Sequence, residues 1–304
     1  MTAALIISAG RTKHKDSFSP ERQIGNISAI ERLALLFQVA GIQRIVVVGD
    51  EEKLPQKFAS SMNLIFVTVS RDGEMLDSIK EGLRYLQGKC TDVLLSYVDV
   101  PMTSLETVEA LLAARGSACV PSYRGRCGHP IRLQENCFER ILSYRGPDGL
   151  KGAMDASGIK RKIIEVDDPG ILTDTRSGAS YEALAEEHEL SKLRISFKIK
   201  ISKEKGFYGP GAHQLLKLIE ESGSLSNACQ YMGMSYTKGR KIVATMEEQM
   251  GTPVLETQQG GKTGGGSQLT KAAKEMMIRY NAFIAEADSE LQKIFQKHFG
   301  DLIP

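Results

Sequence analysis

Several short segments of the chain carry residue types suited to handling a polyphosphate. Ser8-Ala9-Gly10 closes an apolar run and is followed by Arg11, Lys13, His14 and Lys15. A glycine turn after a buried strand presents backbone N–H groups to a phosphate, and basic side chains neutralise its charge. Val98-Asp99-Val100-Pro101-Met102 follows another apolar run. A carboxylate at the C-terminal end of a parallel strand lies where open α/β sheets bind ligands. Mg²⁺ is held by one or two such carboxylates together with substrate phosphates and water. The residues alone leave a second reading of Asp99 open, a cap on the following turn. Asp174, after Gly170–Thr173, could supply a second metal-facing carboxylate. Gly125-Arg126-Cys127-Gly128-His129-Pro130 makes a polar turn into a strand. His129 in that setting is more often a structural hydrogen-bonding residue than a general base.

A different chemistry is written near the other end. Ser224 starts a short helix, Leu225–Met232, that Gly233 can stop, and Ser235 can cap a third helix running to Met250. Ile242, Val243 and Met246 would face inward, while Tyr236, Thr237, Lys238, Arg240 and Lys241 crowd the first turns. A short helix, a glycine turn and a helix with a polar, basic start describe a helix-turn-helix, whose second helix reaches base edges. Pro253–Thr257, a loop from Gln258 to Gly266 and Ser267–Leu269 read as a wing with Lys262 and Thr263 at its tip. Gly261-Lys262-Thr263 also looks like the end of a P-loop, but Glu256 stands where the first glycine of that motif is required. Two other uses of these residues stay open: a module for protein contacts alone, and a Tyr236 packed on the core.

These residues need elements to hold them. Ala3–Ser8, Arg44–Gly49, Leu64–Val69 and Asp92–Val98 read as buried strands, and Ile27–Ala40, Glu51–Ser60 and Met75–Leu86 as helices. Further strands are expected at Ala118–Ser122, Pro130–Leu133 and Lys162–Val166, with helices at Glu135–Ser143 and Ser180–Glu189. Leu193–Ile201 alternates apolar and polar residues, the pattern of a strand with one covered and one basic face. Ala212–Ser222 and Lys271–Phe299 complete the helices, the last long enough to serve as a dimerisation arm. The expectation is an α/β N-terminal domain, residues 1–190, built on a doubly wound, mostly parallel sheet. A mainly α winged helix-turn-helix with a long C-terminal helix is expected over residues 191–304.

Bulk properties fit this division. A chain of 304 residues suits two domains, and 41% apolar with 25% charged residues is the composition of globular cores. Residues 191–304 hold 16 Lys and Arg against 11 Asp and Glu, and residues 1–190 hold 23 against 26. The basic half is the half assigned to DNA. Five cysteines with no C-x-x-C pair argue against a disulfide framework and a zinc site, and favour a cytoplasmic protein. No apolar run is long enough to cross a bilayer, so no membrane partner is expected. Met1–Gly10 lacks a basic leader and reads as a first strand rather than a secretory segment.

In order and spacing, residues 3–188 resemble the MobA-like nucleotidyltransferases, the molybdopterin cytidylyl- and guanylyltransferases. That family begins L-A-(A/G)-G-x-S-x-R-(M/F)-G-x-x-K, where this chain has I-S-A-G-R-T-K-H-K-D-S-F-S. The family's D-x-P matches Asp99-Val100-Pro101, its G-H-P matches Gly128-His129-Pro130, and its late D-I-D-T-P-E-D-(Y/L) is matched loosely by D-T-R-S-G-A-S-Y. The signature arginine falls on His14, the glycine on Asp16 and the lysine on Ser19, while Arg176 stands at the second aspartate. The resemblance implies a sheet like that of nucleotide-diphospho-sugar transferases. It also implies transfer of CMP or GMP from Mg²⁺-bound CTP or GTP to a phosphate on molybdopterin. Asp99 and Asp174 would be the catalytic, metal-holding carboxylates. Ala9, Gly10, Arg11, Lys13, His14 and Lys15 would surround the triphosphate, with Pro101 and His129 also at the binding site. The departures bring two alternatives: a regulator that senses a nucleotide or cofactor without turning it over, and a transferase for another phosphorylated acceptor.

Residues 193–285 closely resemble the DNA-binding domain of the bacterial molybdate-responsive regulators, relatives of the LysR-type winged helices. The matching runs are G-S-L-S-N-A-C-Q-Y-M-G-M-S-Y-T-K-G-R-K-I-V and G-G-K-T-G-G-G-S-Q-L-T. The resemblance implies DNA contacts through Ser235, Tyr236, Thr237, Lys238, Arg240, Lys241, Lys262 and Thr263, in a homodimer joined by the C-terminal helix. The molybdate-binding modules of that family are not expected in the remaining residues, nor is direct molybdate sensing.

Overall fold

A six-residue run, T-A-A-L-I-I at Thr2–Ile7, forms β1 and is wholly buried from Ala3 onward, as a strand covered on both faces must be. The computed structural model describes residues 1–8, 23–24, 26–50, 63–69, 73–172, 188, 194–257 and 266–302. The chain divides into two compact units, with the break close to residue 191.

In the first unit β1 is followed by β2 (Gln23–Ile24), β3 (Ile27–Ser28), α1 (Ala29–Val39), β4 (Arg44–Gly49), β5 (Leu64–Thr68), α2 (Met75–Leu86) and β6 (Asp92–Tyr97). Next come α3 (Leu105–Ala113), β7 (Ala118–Tyr123), β8 (Arg126–Cys127), β9 (Ile131–Gln134), α4 (Phe138–Ser143), α5 (Gly149–Ala156) and β10 (Arg161–Glu165). The sheet order is β10-β7-β9-β6-β1-β4-β5, with β8 paired to β7. β1 lies parallel to both β4 and β6, and β4 to β5. β9 runs antiparallel between β6 and β7, so the sheet is mixed but mostly parallel. Helices α1 and α3 pack together, as do α2, α4 and α5, giving the layers of a doubly wound sheet.

Local chemistry sets several boundaries. Helix α1 begins at Ala29 because Ser28 caps it: the Ser28 hydroxyl accepts from the Glu31 N–H at 3.4 Å, and the Ser28 N–H donates to Glu31 Oε2 at 2.8 Å. Such a box is worth about 1 kcal/mol. Residues 135–143 start as a 3₁₀ turn, Glu135–Cys137, before α4. The helices α3 and α5 have no counterpart in the sequence-based expectations. The expected helices Glu51–Ser60 and Ser180–Glu189 lie outside the described residues, apart from His188.

The second unit contains β11 (Ile201–Ser202), β12 (Gly206–Tyr208), α6 (Pro210–Ser222), α7 (Leu225–Tyr231), α8 (Tyr236–Met250), β13 (Leu255–Thr257), β14 (Ser267–Leu269) and α9 (Lys271–Phe299). Leu215, Leu216, Leu218 and Ile219 of α6 are fully buried, with Val243 and Met246 of α8. Gly233 takes φ +59° between α7 and α8, and the Met234 N–H behind it closes on the Cys229 carbonyl at 3.0 Å. A Cβ on Gly239 would stand 2.2 Å from Cys229 Sγ, so the two helices cross closely there.

The strand expected over Leu193–Ile201 is a correction. Only Ile201–Ser202 pairs, with β12, and residues 194–200 form no ladder among the described residues. The alternation survives as exposure: Ile195, Phe197 and Ile199 are half-buried, while Arg194, Ser196, Lys198 and Lys200 are exposed. β12 ends at Tyr208, opposite Ile201, where Gly209 leads into α6, and the Ile199 carbonyl accepts instead from the Tyr280 hydroxyl at 2.9 Å.

Candidate functional site

The parallel strands end along one edge of the sheet. Ile7 of β1 stands opposite Tyr97 of β6, and the Val98 N–H donates to the Ile7 carbonyl at 3.0 Å. One residue on, the Ser8 N–H donates to the Val48 carbonyl of β4 at 2.8 Å. Ser8, Asp50 and Asp99 thus follow three adjacent strands at the same edge. Asp99 is half-buried in the turn after β6. The Ser8 hydroxyl is buried and makes no hydrogen bond among the described residues. Ala9, Gly10, Arg11, Lys13, His14, Lys15 and Asp174 lie outside the described residues.

Three segments far apart in sequence are knotted beside this edge. Pro101 is buried, and the Thr103 hydroxyl donates to the His129 carbonyl at 3.1 Å. The His129 N–H donates to the Ile171 carbonyl at 3.1 Å, and His188 Nε2 donates to the Thr103 carbonyl at 2.8 Å. The buried Asp168 carboxylate accepts from Ser104 N–H, Thr107 hydroxyl and Gly170 N–H, at 2.8, 2.7 and 2.8 Å. There is no room for side chains at the crossings. A Cβ on Gly128 would lie 2.3 Å from the Ile171 carbonyl oxygen, and one on Gly170 would lie 1.9 Å from that of Met102. The D-V-P, G-H-P and D-P-G segments therefore form one structural unit.

Burial governs the electrostatics. The Tyr97 phenol is pushed up to about 12, first by burial and then by the Asp99 charge. His129 is lowered to about 4 by burial, with the Leu95 carbonyl pulling weakly the other way. Its ring sits edge-on to Tyr97, centroids 4.3 Å apart, and its Nδ1 is enclosed with no hydrogen-bond partner among the described residues. Both rings are therefore neutral near pH 7. A cavity of about 1030 Å³ opens beside them, between the sheet and helices α2 and α5. No group of three or more potential metal ligands occurs among the described residues; of the anticipated pair, Asp99 is described and Asp174 is not.

In the second unit the expected recognition residues stand together and outward. Tyr236, Thr237, Lys238, Arg240 and Lys241 are exposed on the first turns of α8, and Gly239 between them is buried against α7. Tyr236 is 54% exposed, so it does not pack on the core. The Ser235 hydroxyl caps the helix, accepting from the Lys238 N–H at 3.3 Å. β13 and β14 pair antiparallel, Leu255 with Leu269 and Thr257 with Ser267. Lys262 and Thr263, between them, lie outside the described residues.

Sequence reasoning passed over Asp50 and Tyr97, and named Ser8 only as the start of the turn after β1. Ser8 and Asp50 occupy strand ends, a signal that position alone could have supplied. Tyr97 could be found only once β9 was placed beside β6.

Comparison with known proteins agrees with this architecture. The sequence profile described as MobA-like NTP transferase domain matches residues 4–162. A nucleotidyl transferase from Methanothermobacter thermautotroptrophicus superposes with a TM-score of 0.52 at 17% identity, over 62% of this chain and 97% of that one. Rv0371c from Mycobacterium tuberculosis H37Rv gives 0.50 at 16%, over 61% and 98%. At such identities the likeness is one of fold. The C-terminal region matches molybdenum-related regulators. The molybdenum transport protein ModE of Azotobacter vinelandii is 30% identical over 84 residues, 28% of this chain and 31% of the relative. The molybdenum-pterin-binding protein MopB of Rhodobacter capsulatus is 35% identical over 83 residues, 27% of this chain and 30% of the relative. The chain thus spans about a third of the length of these curated relatives. With a family profile covering the strands, the D-V-P turn and the G-H-P turn on which the edge is built, the chain belongs to the MobA-like NTP transferase domain family.

Proposed function

We propose that the first unit transfers a nucleoside monophosphate from Mg²⁺-bound CTP or GTP to a phosphate on molybdopterin, and that the second unit binds DNA. The observation that carries the first part is the sheet edge where Ser8 and Asp99 follow neighbouring strands beside a large cavity. An oxygen of the acceptor phosphate attacks the α-phosphorus of the triphosphate. The bond from that phosphorus to the bridging oxygen breaks, and pyrophosphate leaves with the electron pair. An acceptor phosphate is already anionic at neutral pH, so no side chain has to take its proton. Neutral His129 therefore acts as a wall of the site and not as a base.

The donor set suits a hard divalent cation. Asp99 offers oxygen ligands, half-buried at a strand end, and Mg²⁺ needs only one or two carboxylates beside substrate phosphates. Asp99, joined by Asp174, would hold it, and a bound Mg²⁺ supplies charge neutralisation on the triphosphate. Ala9, Gly10, Arg11, Lys13, His14 and Lys15 would cradle the phosphates, with Pro101 and His129 fixing the neighbouring turns. The test is labelled CTP or GTP with Mg²⁺ and molybdopterin, comparing the chain with Asp99→Asn. Asp99→Asn is expected to lower transfer by about 100-fold or more. Nucleotide binding without any dinucleotide product would instead favour a regulator that senses its ligand. His14, Asp16 and Ser19, standing where the family has arginine, glycine and lysine, are the observation behind that second reading.

For the second unit the exposed cluster at the start of α8 supports reading of base edges, with Lys262 and Thr263 of the wing on phosphates. Beyond Tyr280, Phe283, Ile294 and Phe299 of α9 remain about half exposed, which supports a homodimer through that helix. No described helix is long and apolar enough to cross a membrane. With nucleotide and DNA as its partners, the protein is proposed to work in the cytoplasm.

A further inference from the structure

The sheet ends on one side at β10, which among the described residues pairs with β7 alone. Arg161, Lys162, Ile163 and Glu165 are exposed and Ile164 is half-buried, so the strand is open to solvent along its length. Ile163, at its middle, is 45% exposed. An edge strand with free backbone groups is a template for another strand, and an apolar residue at its centre adds to that tendency.

Pairing with β7 fixes which backbone groups remain open. The Val166 N–H donates to the Ser122 carbonyl at 2.9 Å, which turns the backbone groups of Val166 toward β7. These groups alternate sides along a strand, so those of Lys162 and Ile164 also face β7, and those of Arg161, Ile163 and Glu165 face outward. Side chains alternate as well. Arg161 and Ile163 line one cavity, so Lys162 and Ile164 lie on the opposite face of the sheet.

The run R-K-I-I-E is complementary to itself when two copies are laid in opposite directions. With a two-fold axis at Ile163, Arg161 of each copy stands opposite Glu165 of the other, and Ile163 opposite Ile163. The three outward-facing residues of each strand are then the ones that exchange hydrogen bonds in an antiparallel ladder. On the other face Lys162 meets Ile164. Moving the axis to residue 162 would set Lys162 against Lys162, a like-charge pair that disfavours that register. Arg161 already pairs with Asp155 at 2.6 Å, and its five N–H donors suffice for that carboxylate and a second one.

We propose that β10 is a docking edge for a second copy of this chain, paired antiparallel with Ile163 on the two-fold axis. The surface belongs to the first unit and is separate from a dimer contact through α9. Five residues from each copy make too small a contact to hold a dimer alone. The pairing is therefore read by disulfide trapping rather than by sedimentation.

The test uses the full-length chain with Cys127→Ser, which removes the exposed cysteine and leaves the four buried ones. Opposed Cα atoms at the axis lie about 5.5 Å apart, within reach of a disulfide. Ile163→Cys is expected to form a covalent dimer under copper-catalysed oxidation. Glu165→Cys is expected not to, because the two copies of that position would stand about 13 Å apart along the strands. Lys162→Cys mixed with Ile164→Cys should give the mixed dimer in preference to either symmetric one. In the Ile163→Cys chain, Arg161→Glu should slow trapping about tenfold by placing like charges at both ends. Adding Glu165→Arg should restore the rate. No dimer from Ile163→Cys overturns the proposal. Trapping of Glu165→Cys at the same rate as Ile163→Cys also overturns it, by showing random collision. Failure of the double charge exchange to restore trapping does the same for the register.

Discussion

His129 shows what one enclosed ring does to a whole unit. Its folded value of about 4 lies below the ordinary 6.5, so between those values the unfolded chain binds a proton that the folded chain does not. Stability therefore rises with pH across that window and is lost as pH falls toward 4. The contribution is on the order of 1–3 kcal/mol. Urea denaturation at pH 7 and pH 4.5 checks it: His129→Gln should shrink the difference between the two pH values by about that amount. An unchanged difference would count against the enclosed ring. This residue also marks the limit of reading sites from sequence. Asp99 could be placed at a strand end from the apolar run before it, but the role of His129 depends on burial beneath Ile171 and beside Tyr97. Those contacts join residues more than thirty positions apart, and no local pattern announces them.

At the scale of elements, the fold was legible wherever one periodicity ran without interruption. Arg44–Gly49, Met75–Leu86 and Lys271–Phe299 begin and end as their apolar spacing requires. Leu105–Ala113 and Gly149–Ala156 were missed because each is short and buries only three residues, too few to stand out from a loop. Leu193–Ile201 was misread because alternation reports burial on one face, whereas a strand also needs a hydrogen-bonding neighbour. Gly239 shows an element-level constraint of another kind. Gly239→Ala would gain helix propensity of about 1 kcal/mol. It would also drive a methyl into Cys229 Sγ, and overpacking of this kind costs about 1–3 kcal/mol. A net loss is expected in thermal unfolding of the second unit, relieved when Cys229→Ala is added. Equal effects with and without Cys229→Ala would mean that the crossing is looser than the geometry requires.

Across the whole molecule, charge is unevenly divided, with the excess of Lys and Arg in residues 191–304. If Arg240 and Lys241 each neutralise a phosphate, replacing both with Ala should make the slope of log affinity against log salt shallower by about two. An unaltered slope would remove them from the interface. Helix α9 runs about 44 Å, far past the last buried position at Tyr280. Phe283→Glu with Ile294→Glu should shift a dimer to a monomer in sedimentation, while leaving the helical signal intact. The sheet order has a consequence for synthesis. β1 can acquire β4 and β5 on one side as soon as those residues emerge, and β6 on the other, but β7 can join only after β9 has been made. Arg132 then closes the gap, its buried guanidinium pairing with Asp92 and donating to the Ala114 and Gly116 carbonyls at 2.8 and 2.9 Å. Until that residue leaves the ribosome, the outer edge of β6 is bare. A pause in translation just short of β9 would present a half-finished sheet with an open, apolar border, the state most exposed to pairing with a neighbouring nascent chain.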